Sequence, residues 1–189
     1  TGRIGPRIEL PAGPDSPSAS VASDGSDYVV VSKPWDQSRI VSIAIDAFSG
    51  EARLGAEVPG SGTSDLIWTG SSYATTLWRD GILKLLRLGP RGEYAGEFDV
   101  SPASPSEVAL AATRDRILVV WADKGVAIRL AIFDHDGRVT VPPRDLTTVS
   151  ITHSLVAGAD GDQFVLLASD TQSSFVARLS SAFPQMAIV

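Results

Sequence analysis

Residues 116–121 read Arg116-Ile-Leu-Val-Val-Trp121, a short apolar run of β-branched and aromatic residues with a polar turn, Arg114-Asp115, in front of it. Six such residues between breakers make a strand that is covered on both faces, because a half-solvated strand would alternate. The same kind of segment occurs three more times, as Tyr28-Val-Val-Val-Ser-Lys33, Tyr73-Ala-Thr-Thr-Leu-Trp78 and Gln163-Phe-Val-Leu-Leu-Ala168. Aligned on their last residues, the four lie 45, 43 and 47 residues apart.

Each is preceded by a turn, at Asp24-Gly25, Ser71-Ser72, Arg114-Asp115 and Asp160-Gly161, and before that by a shorter apolar stretch: Ser20 to Ala22, Leu66 to Trp68, Val108 to Ala111 and Leu155 to Ala157. These pairs are hairpins. A third strand follows each time, at Arg39 to Ile45, Ile82 to Leu88, Val126 to Phe133 and Ser174 to Leu179. Then comes a turn carrying Gly50, Gly92 or Gly137, with Phe183 at the matching place in the last repeat, and a weaker strand near Glu51 to Val58, Tyr94 to Val100, Arg138 to Val141 and Gln185 to Val189.

Four strands in about 45 residues is the content of one β-propeller blade. A β-sandwich also spaces strands closely, but it has no reason to repeat a glycine turn and an apolar strand in step four times. The fold class expected is therefore all-β, a propeller of about four four-stranded antiparallel blades: 17–62, 63–104, 105–150 and 151–189. Ser104-Pro-Ser-Glu107 has the form of a helix capping box, but the repeat register requires a strand from Val108 onward.

Residues 1–16 read as the outer strand of a preceding or closing blade, since Thr1 to Pro11 matches Ser49 to Pro59 almost position for position. That leaves two arrangements: consecutive blades of a larger propeller, which we favour because Gln185 to Val189 would compete for the same edge, or a closed four-bladed ring. Additional blades or a second chain are the implied partners in completing a ring.

The stretches Ser20 to Val31 and Ala111 to Asp123, with the turn Asp134-His-Asp-Gly137, resemble the blades of large bacterial secreted or envelope proteins, in which a V-A-x-D-G-x-x-Y-L-V-V-W pattern recurs. The second and fourth repeats depart from it at Thr75-Thr76 and Ala168. The resemblance implies a blade and an extracellular or envelope location; it brings no catalytic residues.

A net charge of −6 lacks the basic surface from which nucleic-acid binding starts, and the longest apolar runs are far too short to cross a bilayer as helices. Neither partner is expected. With no cysteine there is no thiolate chemistry, and no cofactor motif is present. Asp134 and Asp136 begin like a calcium loop whose later ligands are missing, so a hairpin turn is expected, and His135 and His153 are too few for a zinc site.

Catalytic and metal residues are therefore not assigned. Candidate ligand contacts are Asp36, Asp80, Asp123 and Asp170, which follow the four central strands, and Trp35 in the longest of those loops. Four carboxylates there would form a ring around the channel mouth, although turn chemistry alone also selects Asp at such places. Trp78 and Trp121, taken as equivalent, are expected in the core between blades, as is Trp68. The function expected is a non-enzymatic binding or scaffold module for protein or carbohydrate; the alternative is a propeller-type glycosidase or lyase using Asp80 and Asp123.

Overall fold

The computed structural model describes residues 18–33, 39–62, 65–102, 105–123, 127–147, 154–169, 174–180 and 187–188. The described strands form four antiparallel sheets, each a meander of four strands consecutive in the chain. The first holds β1 (Ser18–Ser23), β2 (Asp27–Lys33), β3 (Arg39–Asp46) and β4 (Ala52–Pro59). The second holds β5 (Ile67–Trp68), β6 (Tyr73–Arg79), β7 (Ile82–Leu88) and β8 (Tyr94–Ser101). The third is β9 (Glu107–Ala112), β10 (Ile117–Asp123), β11 (Ala127–Phe133) and β12 (Val139–Thr147), and the fourth β13 (Ser154–Asp160), β14 (Gln163–Ser169), β15 (Ser174–Ser180) and β16 (Ala187–Ile188).

This is the all-β propeller class expected from the repeat, and Glu107–Ala112 is a strand rather than a helix. The opening segment 1–16, Phe183 and most of 185–189 lie outside the described residues. Sheets stack in chain order, β1 beside β5, β5 beside β9 and β9 beside β13, and are not closed into a ring among the described residues. No helix there is long and apolar enough to cross a membrane.

The stacking explains the apolar central strands. Successive residues of a strand point to opposite faces, so each middle blade feeds two cores. On β10, Ile117, Val119 and Trp121 pack toward the second blade with Ala74, Leu83 and Leu85. Leu118, Val120 and Ala122 pack toward the fourth with Phe164, Leu166 and Ala168. The first and second blades share a further core, in which Val29, Val31 and Ile40 meet Tyr73, Leu77 and Leu86.

Two of the three recurring glycines act at these junctions. Gly50, Gly92 and Gly137 all have positive φ, in the left-handed region that a side chain disfavours. Gly92 also leans on the blade before it: a β-carbon built on Gly55 would lie 2.6 Å from the Gly92 backbone. There the Ser42 hydroxyl donates to the Gly92 carbonyl at 2.5 Å and accepts from the Ala56 amide at 2.8 Å. Gly137 does the same against Phe98 of the second blade.

Candidate functional site

The meander order sends the turns between second and third strands, and the links between blades, to one end of the sheets. A cleft of about 330 Å3 opens at that end between the second and third blades, with Lys33 of the first at its side. Trp78 lines it together with Ser61, Thr76, Ser106 and Glu107.

Trp78 was expected in the core and is not there: it is 38% exposed, whereas Trp121 is fully buried. The cause is register. The hairpins close through Asp24 to Asp27, Thr69 to Ser72 and Thr113 to Arg116, with Asp160 opposite Gln163 in the last blade. Counting from these turns, Lys33, Trp78, Ala122 and Ser169 are equivalent, so Trp121 corresponds to Leu77. One residue along a strand changes the face, and Trp78, next to the last residue of β6, points toward the third blade. Trp68 is half-buried, its ring 4.7 Å from that of Tyr73.

The polar lining is held by the backbone. Ser61 and Trp78 exchange two main-chain hydrogen bonds, Ser61 N to Trp78 O at 2.8 Å and Trp78 N to Ser61 O at 2.7 Å. The Ser106 amide reaches the Ala122 carbonyl at 3.0 Å. The segments that link the first blade to the second and the second to the third are thereby tied to the end of a central strand, which fixes two serines at the lip. Lys33 and Glu107 bring opposite charges to the same cleft.

The candidate carboxylates are placed as follows. Asp80 occupies a two-residue hairpin turn with Gly81, at φ 55° and 78°, which is the mirror-image turn that Asp-Gly favours. Its side chain is 86% exposed and lies 3.9 Å from Arg79. Asp123 ends β10 and pairs with Arg129 at 3.0 Å, and Arg129 in turn donates to Asp145 at 2.7 Å. The bond to Asp145, with Asp123 beside it, pushes the Arg129 guanidinium further toward its charged form. Trp35, Asp36 and Asp170 lie outside the described residues.

A cross-strand ion pair between third and fourth strands, not anticipated from the sequence, recurs in three blades: Arg39 with Glu57 at 2.8 Å, Lys84 with Asp99, and Arg129 with Asp145. Glu57, Asp99 and Asp145 share one register position, opposite Val41, Lys84 and Arg129. Their spacing in sequence is the signal that would have found them. Asp134 closes the expected hairpin, its Oδ1 accepting from the amides of Asp136 and Arg138 at 2.9 and 2.8 Å. Among the described residues no three His, Asp or Glu side chains gather in a way that could hold a metal ion.

No family model and no curated protein matches the chain. Solved structures do. AofleA from Arthrobotrys oligospora is similar over 92% of this chain and 57% of its own, at TM-score 0.65 and 15% identity. The β-propeller domain of the Trilobed protease from Pyrococcus furiosus, described as having an open velcro topology, is similar over 93% and 58%, at TM-score 0.61 and 12% identity. TolB from Acinetobacter baumannii is similar over 90% and 43%, at TM-score 0.59 and 15% identity. Identities this low establish the propeller fold alone. The chain spans between two fifths and three fifths of the length of these structures.

Proposed function

We propose that this chain is a non-enzymatic recognition module, located outside the cell or in its envelope, that binds carbohydrate in the cleft beside Trp78. The observation that carries this reading is a tryptophan, 38% exposed, at a cleft where Ser61, Ser106, Lys33 and Glu107 stand among apolar neighbours such as Leu77 and Val108. A pyranose has an apolar face of C–H groups that stacks on such a ring, and an equatorial belt of hydroxyls that Ser61, Ser106, Lys33 and Glu107 can bond. About 330 Å3 is the small end of ligand-site size and suits one or two sugar units rather than a folded protein surface. Binding is favoured over glycoside hydrolysis because Asp123 is engaged by Arg129 and Asp80 serves a turn.

Titration calorimetry against neutral mono- and disaccharides tests it, with hits taken from a glycan array. Trp78→Ala is expected to weaken binding about tenfold or more, equivalent to roughly 1.4 kcal/mol, with the circular dichroism spectrum unchanged. Absence of any glycan ligand, or Trp78→Ala binding as tightly as the parent, refutes the reading.

A further inference from the structure

Two charged residues line the Trp78 cleft, Lys33 and Glu107, and they differ in where they point. Lys33 is half-buried and shares the face of Val29 and Val31, whose side chains pack against the second blade. Glu107 stands opposite Ala122 and shares the face of Ala109, which packs toward the fourth blade, so its exposed carboxylate reaches the cleft only from the rim. Lys33 has no ion-pair partner among the described residues, whereas Lys84 is held by Glu97 and Asp99. A half-buried ammonium without a counter-ion has lost part of its hydration with nothing in exchange, and an anionic group on a ligand supplies what is missing.

Register brings this charge beside the aromatic ring. Lys33 and Trp78 hold the same place in neighbouring blades, and stacked sheets lie about 10 Å apart, a gap that a disaccharide bridges. The third and fourth blades carry Ala122 and Ser169 at that place, so among the described residues ring and ammonium come together once. Resting on the reading of the cleft as a sugar site, we infer that it selects an acidic sugar: a pyranose whose ring stacks on Trp78 and whose carboxylate, on that unit or the one linked to it, pairs with Lys33. The carboxylate makes a charge-assisted hydrogen bond that the hydroxymethyl group of a neutral sugar cannot match. Ser61 and Ser106 are left for the ring hydroxyls.

Titration calorimetry tests this with galacturonate, glucuronate and mannuronate and their disaccharides, each beside the neutral sugar of the same configuration. One acid is expected to bind at one site per chain, at least about fivefold more tightly than its neutral counterpart, which is the yield of one charge-assisted bond. That margin should shrink as salt is raised. Lys33→Gln should erase the margin and Lys33→Arg should keep most of it, while Trp78→Ala weakens acid and neutral sugar alike. Glu107→Gln should widen the margin by removing a like charge from the rim. Equal affinity for acid and neutral sugar, or a margin that survives Lys33→Gln, overturns the selection by Lys33 and leaves the sugar site standing. Tighter binding of glucosamine than of any uronate overturns it too, and makes Glu107 the selecting charge. If no sugar of either kind binds, the sugar site and its selectivity fall together.

Discussion

Substituting Gly55 by alanine isolates the closest approach between two blades. The position lies in the bulge between β3 and β4 and its φ is not positive, so alanine carries no backbone strain there. The added β-carbon would lie 2.6 Å from the backbone of Gly92, which belongs to a tight turn and cannot rotate aside as a side chain would. The turn must move outward, and the Ser42 to Gly92 hydrogen bond of 2.5 Å is stretched or lost. Overpacking of this kind costs roughly 1–3 kcal/mol and the hydrogen bond roughly 0.5–1.5 kcal/mol. About 3 kcal/mol in all corresponds to about 9 °C in the melting midpoint of a chain this size. Gly158→Ala is the control: it has no heavy atom within 4 Å of the new carbon and no positive φ, so stability should stay level or rise slightly. Urea titrations followed by circular dichroism, with hydrogen exchange on β2, β3 and β6, supply the measurement. Equal stability of Gly55→Ala and Gly158→Ala would refute the reasoning, since it would mean that these two blades do not touch where described.

The two tryptophans should differ: Trp121→Ala empties a fully buried site and should cost roughly 3–5 kcal/mol, while Trp78→Ala, at a side chain 38% exposed, should cost about 1–2 kcal/mol. Urea midpoints of the two variants measure the difference, and near-equal losses would return Trp78 to the core. Burial pushes the Tyr73 hydroxyl up to about 12. The unfolded chain therefore releases this proton from about pH 10 while the folded chain holds it, and stability should fall between pH 10 and 12. Tyr73→Phe should remove that part of the alkaline loss, as read from melting midpoints across the range; an unchanged alkaline limb would count against the burial of this group.

The blades were legible because two-sided burial leaves a strong mark, the continuous apolar run, and because a repeat multiplies weak signals. Gly50, Gly92 and Gly137 could be located in advance since only a residue without a side chain is comfortable at those turns. The site was less legible, for a reason visible at Trp78 and Trp121. Both end an apolar run and look alike in an alignment, yet the hairpin before β6 turns after Thr69 to Ser72 and that before β10 after Thr113 to Arg116, which offsets the two strands by one residue. A period-2 element converts that offset into the difference between a core side chain and a surface one. Asp80 and Asp123 were grouped by the same misalignment: one belongs to a turn, the other to a strand end and its arginine.

Three separate apolar clusters, each owned jointly by two neighbouring blades, also set how the molecule comes apart. The second and third blades each share a cluster with the blade on either side, so the array holds together junction by junction, as a stack of coins rather than a drop of oil. A lesion in the third blade is therefore felt by both its neighbours at once.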